Sequence, residues 1–134
     1  MITPIPSYYT TVIWPKVREL LIPAIESVDS GFKEEDILQR LQVANMQLWV
    51  INEYEAAAVT QVQQYPQFKS ALIVALGGEN MNEWLDEFIE AVEKWASEIG
   101  CAYLEEYGRK GWERVGKPRG WEPTYVVMRK AVNG

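Results

Sequence analysis

The sequence predicts an α/β domain built on a mixed sheet, and three observations carry that prediction. Residues 71–76, Ala-Leu-Ile-Val-Ala-Leu, are an apolar run of strand length that Gly77-Gly78 breaks. Residues 80–97 then carry a helical stripe: Met81, Trp84, Leu85, Phe88, Ile89, Val92, Trp95 and Ala96, with Ile99 just beyond. Gly100 stops the stripe, and a second strand-like run follows over 101–107. A strand, helix and strand in this order imply a parallel pair bridged by a right-handed crossover. A glycine turn feeding a helix N-terminus also offers backbone amides to an anion.

The remaining elements follow from local pattern. Val17, Leu20, Leu21, Ala24, Ile25 and Val28 recur at helical spacing, with Pro15 suited to a first turn. Pro23 should kink or shorten this helix, and Ser30-Gly31 reads as a break. Residues 33–42 form a short amphipathic helix on Ile37, Leu38 and Leu41, with Glu34, Glu35 and Asp36 placed favourably in its first turn. Residues 46–51 and 56–65 read as an antiparallel hairpin around the turn 52–55. Residues 66–69 turn the chain into the strand at 71–76. Residues 109–115 are a short helix or turn that Pro118 and Gly120 end, and 125–132 reads as a final strand. The order is helix–helix–strand–strand–strand–helix–strand–helix–strand. The sheet is antiparallel in its first half, with a parallel pair at the crossover. No repeat or linker divides the chain, so residues 1–134 are expected to form a single domain.

Composition narrows the function. The chain is 48% hydrophobic and 24% charged, ordinary for a globular protein. No apolar run approaches the roughly 20 residues that span a bilayer, so no membrane partner is expected. The opening Met-Ile-Thr-Pro-Ile-Pro has neither the basic nor the apolar region of a signal peptide. The one cysteine, Cys101, leaves no internal disulfide and fits a reducing cytoplasm. A net charge of −6 argues against nucleic acid.

That charge is uneven. Residues 1–100 hold 6 basic and 15 acidic side chains, while 101–134 hold 7 basic and 4 acidic. The basic excess lies in Arg109, Lys110, Arg114, Lys117 and Arg119, a solvated surface or an anion or partner site. The absence of histidine removes the commonest general base and metal ligand, and no metal site is expected. Of the six tryptophans, Trp84 and Trp95 belong to the helical stripe, and Trp112 and Trp121 flank the basic cluster. Exposed tryptophans there would mark a protein interface.

The order of elements resembles the GNAT superfamily of acyl-CoA-dependent N-acetyltransferases over almost the whole chain. The resemblance is carried by the strand at 71–76, Gly77-Gly78, the helix at 80–97 and the strand at 101–107. The segment Gly108-Arg109-Lys110-Gly111-Trp112 adds to it. So does the pair Gly120-Trp121, which stands where the family has Gly-Phe before its last strand. The chain's phrasing also resembles small GNAT-like proteins encoded by phages, which would place it in a host cytoplasm or a virion.

The resemblance implies that acyl-CoA lies between the strands at 71–76 and 101–107, with its pyrophosphate on the amides before the helix. Carried over, the cofactor-binding residues are Leu76, Gly77, Gly78, Asn80, Arg109 and Lys110, and the cofactor is acetyl-CoA. The family's loop pattern, Arg/Gln-x-x-Gly-x-Gly/Ala, is degenerate: Val74 and Glu79 stand at its outer positions, or Ala75 and Asn80 in the shifted frame. Glu79, Glu83 and Asp86 bring negative charge to the anion site, although Asn80 with Glu83 also reads as a helix cap. The family's tyrosine, four residues before Gly120, is replaced by Gly116. Candidates for acid–base chemistry are Glu105, Glu106 and Tyr107, with Glu105 and Glu106 pointing to opposite faces of their strand. Glu53 and Glu55 are further carboxylates in the hairpin turn.

Two functions are expected from this pattern. The degenerate loop and missing tyrosine favour a descendant with weak or lost acyltransferase activity, used as a protein-binding or virion-associated module. The alternative is an active acetyl-CoA-dependent N-acetyltransferase acting on an amine of a protein or small molecule. A protein partner is expected in the first reading, and a homo-oligomer is compatible with either.

Overall fold

The computed structural model describes residues 1–26, 30–107 and 110–133, and for Lys110 only the backbone. Val28 of the first stripe, Gly108, Arg109 and the Lys110 side chain therefore lie outside what is described. A five-stranded sheet in the order β1-β2-β3-β4-β5 forms the centre. Its strands are β1 (Ile2–Ile5), β2 (Gln47–Ile51), β3 (Ala56–Gln64), β4 (Lys69–Gly78) and β5 (Tyr103–Glu106). The first four pair antiparallel, and β4 with β5 pairs parallel. The helices are α1 (Thr10–Ile25), α2 (Glu34–Gln42), α3 (Met81–Glu98) and α4 (Lys110–Gly116). The expected mixed sheet and the crossover through one continuous 18-residue helix are both present.

Two layers of side chains pack against the sheet. On one face Trp14, Val17 and Leu21 of α1 and Ile37 and Leu41 of α2 meet Leu48, Val50, Val59 and Ala75. On the other, Trp84, Leu85, Phe88, Ile89 and Val92 of α3 meet Trp49, Ile51, Ala58 and Ile73. Each such large side chain withdrawn from water contributes about 1.5–3 kcal/mol. Among the described residues no helix is long and apolar enough to cross a membrane.

Three expectations need correction. The chain begins with a strand, β1, that local pattern does not disclose. Pro4 interrupts its strand signal, and proline is tolerated there because β1 is an edge strand with a free side. The first helix starts at Thr10, with Pro15 in its interior. It reaches Ile25, two residues past Pro23, because its buried stripe holds it on the sheet. Residues 125–132 are not a strand: 121–133 carry no regular structure, and Val126, Met128 and Val132 are almost fully exposed. Their composition suits a strand, but ladder pairing decides one, and among the described residues they join no strand of the sheet.

Three hydrogen bonds to Glu34 join α1 to α2. Arg18 Nε and Nη2 donate to the two oxygens of Glu34 at 2.6 and 2.8 Å, and Trp14 Nε1 donates to Glu34 Oε2 at 2.7 Å. These bonds, Arg18's first, hold the Glu34 carboxyl down at about 2 despite partial burial. Because the folded value lies below the unfolded one, the resulting stability is present above about pH 4.5 and is lost as pH falls towards 2. Glu34→Gln should flatten that acid limb in urea titrations between pH 5 and 2.

Gly77 lies against the backbone of α1. A Cβ there would lie 1.9 Å from the Leu20 carbonyl oxygen of α1. Gly77→Ala should lower the unfolding free energy by about 1–3 kcal/mol, as overpacking does. Gly111→Ala, which meets nothing within 4 Å, should be neutral or stabilising by about 0.5–1 kcal/mol. Equal urea midpoints for the two variants would contradict this account.

Candidate functional site

The site begins with one extra residue. β3 pairs Val59 with Ala75 but Thr60 with Ile73, so Val74 is a bulge in β4. Bulges bend a strand and end regular pairing. On the other side, β5 accompanies β4 only from Ser70 to Ile73, opposite Tyr103 to Glu106. From Val74 to Gly78 that edge of β4 has no strand beside it among the described residues, and alternate N–H and C=O groups face the opening. The two parallel strands form a fork whose crotch is the pair Ile73 and Glu106.

Three candidates from the sequence meet at this fork. Ile73 belongs to the α3 layer, which places its neighbour Glu106 on that face. Glu106 keeps part of its surface open, yet burial pushes its carboxyl up to about 7. Glu105 points to the opposite face, where its Oε1 accepts from the hydroxyls of Ser70 and, at 3.1 Å, Tyr65. Tyr107 follows on Glu105's face, with its hydroxyl 3.2 Å from Gln63 Oε1. Sequence reasoning missed Gln63, Tyr65 and Ser70; the alternation Gln61, Gln63 along β3 was the available signal.

The helix entrance differs from its sequence reading. The turn between β4 and α3 is only Glu79 and Asn80. Asn80 is left-handed at φ 60°, ψ 39°, and its side chain caps nothing. The expected cap with Glu83 is absent because capping needs an extended backbone at that position; the Glu83 amide instead donates to the Asn80 carbonyl at 2.8 Å. Trp84 Nε1 donates to the Glu79 carbonyl at 2.6 Å, and the Glu79 amide reaches the Glu55 carbonyl at 3.4 Å. Packing also accounts for both glycines. Gly77 admits the α1 backbone, and a Cβ on Gly78 would lie 2.4 Å from that of Ala56. Leu76 is half-buried in the α3 layer.

The basic segment is docked onto α3. Arg119 Nε donates to Asp86 Oδ1 at 2.6 Å, and its Nη1 to the Val115 carbonyl at 2.7 Å. Trp112 and Trp121 meet edge to face at 5.5 Å and, with Val115, cover the α3 layer. Both rings remain partly exposed. Burial raises the Cys101 thiol, which leaves it protonated and unreactive at neutral pH. Among the described residues no group of three potential ligands is placed to hold a metal ion.

This architecture is the GNAT fold. A GCN5-related N-acetyltransferase from Ralstonia eutropha superposes at a TM-score of 0.69 and 15% identity, over 100% of this chain and 99% of that one. The aminoglycoside N-acetyltransferase AAC(6')-Iy, solved with CoA, gives 0.66 at 14% identity over 100% of both chains. A predicted acetyltransferase from Clostridium acetobutylicum, solved with acetyl-CoA, gives 0.65 at 13% identity over 98% and 95%. No family model matches the sequence, and no curated protein matches it significantly.

The fold raises the question of an acyl-CoA, and the fit divides by part of that molecule. The vacated β4 edge presents the backbone donors and acceptors that an amide-bearing arm requires. The α3 entrance offers amides for phosphates, but the exposed Glu79 and Glu83 stand beside them and Asp86 engages Arg119. Acetyl-CoA should therefore bind weakly. Removing one exposed carboxylate restores about 0.3–1 kcal/mol at a helix N-terminus, so Glu79→Gln should tighten binding about two- to fivefold in isothermal titration. A dissociation constant at or below about 10 μM for the unaltered chain, or no gain in the variant, would refute the electrostatic argument.

Proposed function

We propose that this chain is an acyl-CoA-dependent N-acyltransferase acting on an amine, with Glu106 as its general base. The observation that carries this reading is a carboxyl of pKa about 7 at the fork where β5 leaves β4. A base poised near the working pH combines adequate ionisation with adequate proton affinity. Unperturbed carboxylates are too acidic for that work, and no histidine is available to do it.

When bound, an acyl-CoA supplies a thioester-activated acyl group. The β4 edge from Val74 to Gly78 would hold its arm, and the amides of Asn80 and Met81 its phosphates. Glu106 would accept a proton at its carboxylate from the substrate's ammonium, leaving the neutral amine whose lone pair is the nucleophile. The α3 layer beside Glu106 restricts water around that proton.

A second reading is favoured by one observation, the carboxylates at the α3 entrance. In it the same fold has lost most of its cofactor affinity and serves as a binding module, within a phage particle or against a host protein. Salt-sensitive capture through Arg114 and Lys117, with no turnover, would support it.

The pH profile decides between them. Thiol release from acetyl-CoA with a primary amine should rise as pH increases through about 7, and Glu106→Gln should remove that limb and about 10²–10⁴-fold of the rate. The folded carboxyl sits above its unfolded value, so it costs stability as pH rises from about 4.5 to 7. Glu106→Gln should consequently be the more stable form at pH 8. A variant of unchanged rate and profile would remove Glu106 from the chemistry.

A further inference from the structure

The sheet face opposite α3 carries a second polar cluster that the proposed chemistry does not use. Glu105 lies at its centre, with Tyr65, Gln63 and Ser70 behind it and Tyr107 and Tyr125 at its rim. Tyr103, Tyr107 and Tyr125 are exposed. The rings continue through Phe68, 5.1 Å from Tyr65 and 4.9 Å from Tyr103. This end of the sheet is therefore an open aromatic surface around one carboxylate.

The cluster has more acceptors than protons to fill them. Ser70 donates its only proton to Glu105. The Tyr65 hydroxyl lies 2.5 Å from Gln63 Oε1, 3.1 Å from Glu105 Oε1 and 3.4 Å from the Tyr107 oxygen, and has one proton for all three. The Tyr107 hydroxyl also turns to Gln63 Oε1, at 3.2 Å. The ion pairs of the Met1 amine, Arg18 and Arg119 go to carboxylates other than Glu105. The hydrogen bond with Tyr65 raises Tyr107 against the opposing effect of its bond with Tyr125, and the bond with Tyr107 raises Tyr125, so both phenols stay neutral at physiological pH.

An alkylammonium has the complementary chemistry, with three donors, no acceptor and a charge attracted to ring faces. We propose that this cluster binds a primary alkylammonium, with Glu105 and the hydroxyls of Tyr65 and Tyr107 accepting its three N–H groups. Glu105 and Glu106 point to opposite faces, so the group held here is not the one that Glu106 deprotonates. The acceptor is then a molecule with two amino groups, one anchored at Glu105 and one at the fork. As an anchor for the acceptor the site rests on the acyltransferase reading; as a binding site it does not.

The test is calorimetry on the full chain at low salt with 1,5-diaminopentane, and with 1,5-pentanediol as the uncharged control. The diamine should bind and the diol should not. Glu105→Gln should weaken the diamine about tenfold and Tyr107→Phe severalfold, with circular dichroism unchanged. Equal affinity in Glu105→Gln, or equal binding of the diol, overturns the proposal. A lysine-containing peptide that binds tighter than the diamine assigns the ammonium to a protein side chain; the reverse order assigns it to a free amine. If Glu105-dependent binding occurs without thiol release, the acyltransferase reading falls and this site stands. If thiol release occurs and binding ignores Glu105, the site falls alone.

Discussion

The extra residue at Val74 sets the geometry on which the rest of this molecule depends. β4 is the strand that joins an antiparallel half-sheet to a parallel partner. Up to Ile73 it serves both neighbours. Beyond the bulge it pairs, among the described residues, with β3 alone, and both Val74 and Ala75 face the α1 layer. β5 cannot follow that change of course, and its pairing ends at Glu106. One inserted residue thus opens an edge of backbone polar groups in the middle of a sheet, which burial would forbid unless another molecule or water filled it.

The ends of β4 show how packing and site compete for the same residues. Gly77 and Gly78 read as a phosphate-binding turn, yet the α1 backbone and β3 require the absence of their side chains. The carboxylates near α3 are similarly divided. Asp86 holds Arg119 and with it the turn after α4, while Glu79 and Glu83 stay exposed. The outcome is an entrance that keeps its amides but surrounds them with the charge least suited to an anion.

Two adjacent glutamates on β5 show what the alternation of a strand accomplishes. Glu106 turns towards the α3 layer, where burial pushes its carboxyl up to about 7. Glu105 turns to the open face and is met by hydroxyl donors. The same side chain in neighbouring positions is given different chemistry by the two faces of a single strand.

Much of this was legible in the chain itself. The stripe from Met81 to Ala96 and the apolar run before it define the crossover, because helical and extended periodicities are local properties. The opposed directions of Glu105 and Glu106 followed from the same alternation. Local pattern did not disclose β1, since Pro4 masks a strand that exists only because β2 offers its edge. It also supplied a last strand over 125–132 that does not join the sheet among the described residues. The bulge at Val74, the contact of Leu20 with Gly77, the left-handed Asn80 and the burial of Glu106 all arise between segments distant in sequence. Periodicity records which face a residue turns to the core. Tertiary structure alone decides what stands opposite it, and that neighbour determines whether a glycine is a cradle or a contact and whether a carboxyl holds its proton at neutral pH.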